Sequence, residues 1–167
     1  MAYRVAIITL SDKGARGERE DKSGPVIAEM VTEAGYEVVE RMLLSDDRQE
    51  LVDALTDICD HHRADLVLTT GGTGFSQRDN APEATMEVVE RNVPGIAEAM
   101  RVNGLKYTPR SMLSRAASGI RKYTLIINLP GSPRAVRENL EYILPVLDHG
   151  IAILVGDAAE CARSDNG

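Results

Sequence analysis

The chain has 167 residues, 27% of them charged and 4% aromatic, and carries a net charge of −7 at neutral pH. This length suits one domain able to bury roughly two-thirds of its unfolded surface, the acidic balance argues against general nucleic-acid binding, which draws on a basic face, and no apolar run approaches the roughly 20 residues of a membrane span. Two cysteines, Cys59 and Cys161, lack the number for a disulfide framework and the spacing for a zinc site, so both read as free thiols, and without a signal-peptide pattern the expected location is cytoplasmic.

Tyr3 to Leu10 is a near-continuous apolar run, the pattern of a central strand covered on both faces. Ser11 to Lys22 reads as a polar loop carrying Asp12, Lys13, Gly14, Arg16 and Gly17, longer than usual strand-to-helix connections and so of functional interest. Ser23, Gly24 and Pro25 then open a helix, with Ser23 at the cap and Val26, Ile27, Met30, Val31 and Ala34 as its apolar stripe ahead of Gly35. Tyr36 to Leu44 alternates more, with Glu37, Glu40 and Arg41 among Val38, Val39 and Met42, which places this strand nearer the sheet edge. After Ser45, Asp46 and Asp47 comes a helix with Leu51, Leu55, Ile58 and Cys59 on one face. Asp46 and Gln49 have capping-box spacing, so a helix cap competes with a functional role for Asp46. His61 and His62 suit the helix C-terminus and lack the further ligands a metal site needs.

The stretch from Leu66 to Thr85 organises the chain. An apolar strand ends in Gly71, Gly72 and Gly74, and a helix follows in which Asn80 and Glu83 have capping-box spacing. A strand, glycine loop and helix in this order gather unpaired backbone N–H groups and a helix dipole around one concave spot, which suits anions. The glycines match neither the dinucleotide fingerprint nor the Walker A loop. A helix from about Pro82 to Arg91 leads to Val93, Pro94 and Gly95, where the alternation of strand and helix breaks. Gly95 to Lys122 shows no evident strand and reads as short helices and turns at one end of the sheet, offering Arg110, Ser111, Ser114, Arg115 and Ser118. Tyr123 to Leu129 is another two-sided apolar strand, followed by the turn Pro130 to Pro133 and a helix with Val136, Leu140, Ile143, Leu144 and Leu147 at helical spacing. Pro145 is a point for a kink, His149 and Gly150 a stop, Ile151 to Val155 a final short strand, and residues 157–167 a flexible tail after a single domain over 1–156.

Strands that run into polar loops and then helices imply parallel βαβ units in a three-layer αβα sandwich, with ligands beyond the carboxyl ends of the strands. If Leu10, Leu44, Thr70 and Leu129 end on one edge, the site collects Ser11, Asp12, Asp46, Asp47, the loop from Gly71 to Asp79, and Asn128 to Ser132. No Ser/His/Asp set has evident spacing and no cysteine lies in a loop, so covalent catalysis has little support. Backbone donors, hydroxyls, cations and carboxylates that can hold Mg²⁺ instead suit phosphoryl or nucleotidyl transfer.

Thr70 to Gly74 with Arg78, Asp79 and Pro82 to Thr85 resembles the signature of the molybdenum-cofactor biosynthesis family that includes MogA, MoaB and the G domains of gephyrin. Ser11 and Asp12, Asp21 to Pro25, Pro94 and Gly95, Leu113 to Arg115, and Asn128 to Pro133 extend the resemblance over most of the chain. MogA-like members adenylylate molybdopterin with Mg²⁺ and ATP, releasing pyrophosphate. The resemblance implies Asp79 and Asp46 as the catalytic, metal-holding carboxylates, with Asp47 as an alternative to Asp46 because the family often has Pro-Asp at that strand end. It implies Gly71, Gly72, Thr73, Gly74, Asn128, Pro130, Gly131 and Ser132 around the pterin and phosphate, with Ser11, Asp12, Ser114 and Arg115 nearby. It also implies a homotrimer, or a hexamer for MoaB types, and a MoeA-type molybdate insertase as partner. A MoaB-like binder with little transfer activity and a non-catalytic trimeric scaffold are the alternatives.

Overall fold

The computed structural model describes residues 2–157, so Cys161 and nearly all of the expected tail lie outside the described residues. Six strands form one sheet, β1 (Arg4–Leu10), β2 (Glu37–Leu44), β3 (Leu66–Thr70), β4 (Arg91–Asn92), β5 (Ser118–Arg121) and β6 (Thr124–Leu129), in the order β2-β1-β3-β6-β5-β4. The first four in that order are parallel, and β5 and β4 add an antiparallel end. The helices are α1 (Asp12–Ala15), α2 (Ser23–Glu33), α3 (Arg48–Asp60), α4 (Ala81–Val88), α5 (Pro94–Gly104) and α6 (Pro133–Val155), with a 3₁₀ turn at Pro109–Leu113.

Alternation along the strands divides the interior into two cores, as a two-sided sheet requires. Val5 and Ile7 of β1 pack with Ile27 and Val31 of α2, Ala97 and Met100 of α5, and Leu140 and Leu147 of α6. Ala6, Ile8 and Leu10 face the other way, onto Leu55 and Ile58 of α3 and Ala84 and Val88 of α4. The result is the three-layer sandwich expected, with β1 interior and β2 at the edge, its exposure alternating along the strand. The chain passes from β1 outward to β2 and returns past β1 to β3, so the direction of winding reverses between β1 and β3. Crevices outside the carboxyl ends of strands at such a reversal are the usual ligand sites of α/β sheets.

Several local expectations are corrected. The polar loop after β1 contains a single helical turn, α1, capped by Ser11. Ser23 does not cap α2; Asp21 does, its Oδ1 accepting from the N–H groups of Ser23 (3.1 Å) and Gly24 (2.9 Å). Helix α4 ends at Val88, and Arg91–Asn92 is a short strand. Asn80 makes no side-chain cap, its Nδ2 donating instead to the carbonyl of Arg78 (3.2 Å), and Glu83 pairs with Arg115. The segment from Gly95 to Lys122 holds most of α5 and the strand β5. Helix α6 continues through Pro145, His149 and Gly150 to Val155, so the expected last strand is helical, with Ile151 buried one turn beyond Leu147. Among the described residues no helix is long and apolar enough to cross a membrane.

Candidate active site

Register places the ends of four strands on one edge, as Leu10 pairs with Leu44, Thr9 with Thr70, and Thr70 with Leu129. A cavity of 760 Å³ opens there, its walls including Ser11, Asp46, Gly71, Gly72, Asp79, Gly131 and Ser132. Its floor is backbone packed on backbone. Gly71 has φ +97°, and a Cβ there would meet the carbonyl oxygen of Leu10 at 2.5 Å, so only glycine allows the β3 exit to pass this close to the β1 exit. The β6 exit is tied in by Gly71 N–H donating to the carbonyl of Leu129 (3.2 Å) and by Thr70 Oγ1 donating to that of Pro130 (2.6 Å). Ser23 Oγ donates to the carbonyl of Gly131 (2.6 Å), joining the start of α2 to the same wall.

The two adjacent aspartates after β2 take separate roles. Asp47 caps α3, its Oδ1 accepting from the N–H groups of Gln49 (2.8 Å) and Glu50 (3.2 Å). Asp46 is therefore free of the helix and lines the cavity. Its Oδ2 accepts from Asp12 N–H (3.0 Å), while its own N–H donates to Asp12 Oδ1 (2.9 Å). Burial pushes the Asp46 carboxyl above its ordinary range, and the charges of Asp12 and Asp79 push the same way. Asp79, on the loop after β3, lines the same cavity and accepts from Ser76 N–H (2.9 Å). Arg78 donates from Nε (3.0 Å) and Nη2 (2.8 Å) to the Asp12 carboxylate, which this guanidinium holds down at about 2.

No three carboxylate, imidazole or thiol side chains among the described residues form a complete metal cage. A half-buried carboxylate charged against the influence of a second, in a cavity wide enough for phosphates, nevertheless suits Mg²⁺, which usually takes one or two carboxylates and completes its shell from water and phosphate. Asp46 and Asp79 fit that partial donor set.

The remaining residues expected at the site divide among three places. Ser11 lines the main cavity while its Oγ accepts from Gly14 N–H (2.9 Å). Thr73, Gly74, Ser114 and Pro130 line a second, more apolar cavity of 410 Å³ alongside Phe75 and Met100. Arg115 and Asn128 line neither. Arg115 donates from Nε to the carbonyl of Gly74 (2.8 Å) and from Nη2 to that of Asp79 (2.8 Å), bracing the loop from behind. Asn128 is fully buried; its Nδ2 donates to Thr69 Oγ1 and Thr85 Oγ1 (both 2.9 Å), and its Oδ1 accepts from Ala117 N–H (3.0 Å). Sequence reasoning missed the structural part played by Asp21, although an aspartate two residues before Ser23-Gly24 is an Asx-turn signal. It also missed Arg19 and Lys22, cations on the cavity wall that no spacing rule marks.

Residues 6–149 match the family model described as a probable molybdopterin binding domain. The chain is 39% identical over 155 residues to a protein named molybdopterin adenylyltransferase from Helicobacter pylori strain J99, covering 92% of this chain and 88% of that one. It is 38% identical over 155 residues to the protein of that name from Escherichia coli K12, covering 89% and 79%. Among solved structures, that of the molybdopterin biosynthesis enzyme MoaB from Thermus thermophilus superposes with a TM-score of 0.87 at 47% identity, covering 92% and 97%. With relatives similar nearly end to end and a matching fold, the chain belongs to the MogA/MoaB family of molybdopterin-binding domains.

Proposed function

We propose that this chain is a molybdopterin adenylyltransferase, transferring AMP from ATP to the terminal phosphate of molybdopterin and releasing pyrophosphate. The observation that carries the reading is the convergence of Asp46, at the end of β2, and Asp79, on the loop between β3 and α4, on one cavity lined also by Gly71, Gly72 and Gly131. The relatives named for this activity support it. In the reaction a terminal phosphate oxygen of molybdopterin attacks the α-phosphorus of ATP, one P–O bond forms, and the bond to the β-phosphate oxygen breaks. The nucleophile belongs to the substrate, so the protein's tasks are positioning and charge management. Asp46 and Asp79 would hold Mg²⁺, which would offset phosphate charge. Backbone N–H groups at the exits of β3 and β6 bind phosphate oxygens, and Ser11 and Ser132 add hydroxyls. Arg19 and Lys22, which line the same cavity, supply cations that offset its carboxylates. Asp12 and Arg115 act by holding Asp46 and the glycine loop in place.

The 47% identity with the MoaB structure, above that with the adenylyltransferases, supports a second reading in which the chain binds molybdopterin with little transfer activity. A homotrimer, or a hexamer in the MoaB manner, belongs to either reading, and a MoeA-type insertase as recipient of the product to the first. Incubation with molybdopterin, Mg²⁺ and ATP, following pyrophosphate, separates them. Turnover abolished by Asp46→Asn and by Asp79→Asn and kept by Asp47→Asn is the expected result. Tight molybdopterin binding without product from the wild type overturns the transferase assignment.

A further inference from the structure

Of the two carboxylates assigned to the metal, Asp46 follows the end of β2 and Asp79 lies on the loop between β3 and α4; β1 stands between β2 and β3 in the sheet. A contact at the β1 exit can therefore tie one carboxylate to the other. Asp12 stands there, and both hydrogen bonds of the Arg78 guanidinium go to its carboxylate, in the two-pronged geometry that fixes orientation as well as distance. The same Asp12 carboxylate accepts from Asp46 N–H, and the Asp12 N–H donates to Asp46 Oδ2. Arg78 is the residue before Asp79. An unbroken path thus runs from the backbone of Asp79 through Arg78 and Asp12 to the carboxylate of Asp46.

We propose that Arg78 and Asp12 are positioning residues, a clasp that spans the end of β1 and sets the separation and aim of Asp46 and Asp79. The proposal rests on the reading of those two carboxylates as the holders of magnesium nucleotide. As a stabilising ion pair the clasp counts for little, because the side chains are 56% and 27% exposed and exposed pairs contribute marginally. As a spacer it matters, since misplacing a reacting group by about 1 Å costs on the order of 100-fold in rate. The alternative is that Arg78 leaves Asp12 and binds substrate phosphate itself. The two differ in what they ask of Asp12 and of a lysine. A clasp needs the forked guanidinium and a charged partner, whereas phosphate binding needs only a cation.

The test compares wild type with Arg78→Lys, Arg78→Gln, Asp12→Asn and the double variant Asp12→Asn/Arg78→Gln. Asp12→Asn keeps an oxygen for Asp46 N–H but removes the charge and sets an NH₂ donor where Oδ2 accepts from Arg78 Nε, so the forked grip is lost. Three quantities are measured: Mn²⁺ affinity in the presence of ATP by electron paramagnetic resonance, kcat and KM for adenylylation, and the thermal midpoint. All four variants are expected to bind Mn²⁺ at least about 10-fold more weakly and to lose on the order of 100-fold in kcat, with midpoints within about 4 °C of wild type. The double variant is expected to be no worse than either single variant, as two parts of one clasp require. Arg78→Lys near wild type with Asp12→Asn unimpaired would overturn the clasp in favour of direct phosphate binding. Wild type that binds Mn²⁺ with ATP, alongside variants that bind it equally well, overturns the clasp and leaves the transferase reading intact. Wild type that neither binds the metal nucleotide nor turns over overturns both.

Discussion

Replacing Asn128 by alanine tests whether this residue serves the ligand or the fold. Its side chain is fully buried and makes three hydrogen bonds, to Thr69 on β3, Thr85 on α4 and the N–H of Ala117 just before β5. Alanine removes all three, each worth about 1 kcal/mol net. It also leaves the buried Thr69 and Thr85 hydroxyls without their donor, which costs a further 1 kcal/mol or so, and opens a small void. The sum is about 3–5 kcal/mol, a large share of the roughly 5–15 kcal/mol that holds a domain together. For a chain of this size that lowers the thermal midpoint by on the order of 10 °C. Urea unfolding at fixed protein concentration measures the loss, and calorimetric titration with molybdopterin below the new midpoint measures affinity. A variant within about 1 kcal/mol of wild type in stability, but with molybdopterin affinity down 10-fold or more, would refute the reasoning and return Asn128 to the ligand site.

Asp46→Asn is expected to raise the thermal midpoint at pH 7 to 8 while abolishing transfer, because burial and two neighbouring carboxylates disfavour the native charge and the amide keeps the acceptor for Asp12 N–H; a lower midpoint counts against this account. Asp47→Ala does the opposite, costing about 0.5–2 kcal/mol as a lost helix cap while leaving kcat near wild type. Gly71→Ala places a methyl 2.5 Å from the Leu10 carbonyl oxygen at φ +97°, which should cost about 2–4 kcal/mol and, by displacing the floor of the cavity, weaken ligand binding at least 10-fold by titration. On acidification Asp46, raised, takes its proton first, whereas Asp12, depressed, keeps its charge and whatever stability the Arg78 pair adds until the pH falls below the unfolded carboxylate range toward about 2. Carboxyl NMR titration of aspartate-labelled protein should show that order, and Asp12 titrating before Asp46 would contradict it.

The frame of the molecule was legible because long apolar runs and helical stripes are strong signals. β1, β3, β6 and the common edge at Leu10, Leu44, Thr70 and Leu129 follow from them directly. Short elements were not legible. β5 has four residues and turns into β6 at Lys122, which sits at φ 52° without the glycine or asparagine that usually marks such a turn. The supposed break at His149 and Gly150 failed because the apolar series through Leu140, Ile143, Leu147 and Ile151 continues across it, and burying Ile151 outweighs the roughly 1 kcal/mol that a glycine costs inside a helix. The capping pattern pointed to Asp46, but Asp47 caps α3, and Asp46 is instead paired with Asp12, 34 positions away. Arg115 and Asn128 were expected among the ligand contacts, but the Arg115 side chain braces the loop from outside the cavity and that of Asn128 ties β3 to α4 and to the start of β5, a distinction that spacing along a chain does not carry.

The bond from Ser23 Oγ to the carbonyl of Gly131 joins residues 108 positions apart, the start of α2 and the turn into α6. No contiguous fragment of this domain that omits either end can assemble the cavity wall, so a nascent or truncated chain has nothing for a ligand to grip until β6 is in place. Occupancy therefore reports on the whole domain, and a ligand at about 100 times its dissociation constant adds about 2.7 kcal/mol to global stability. Hydrogen exchange should show that protection spread into the sheet as far as the edge strand β2, whereas a locally assembled pocket would confine it to the loops around the ligand.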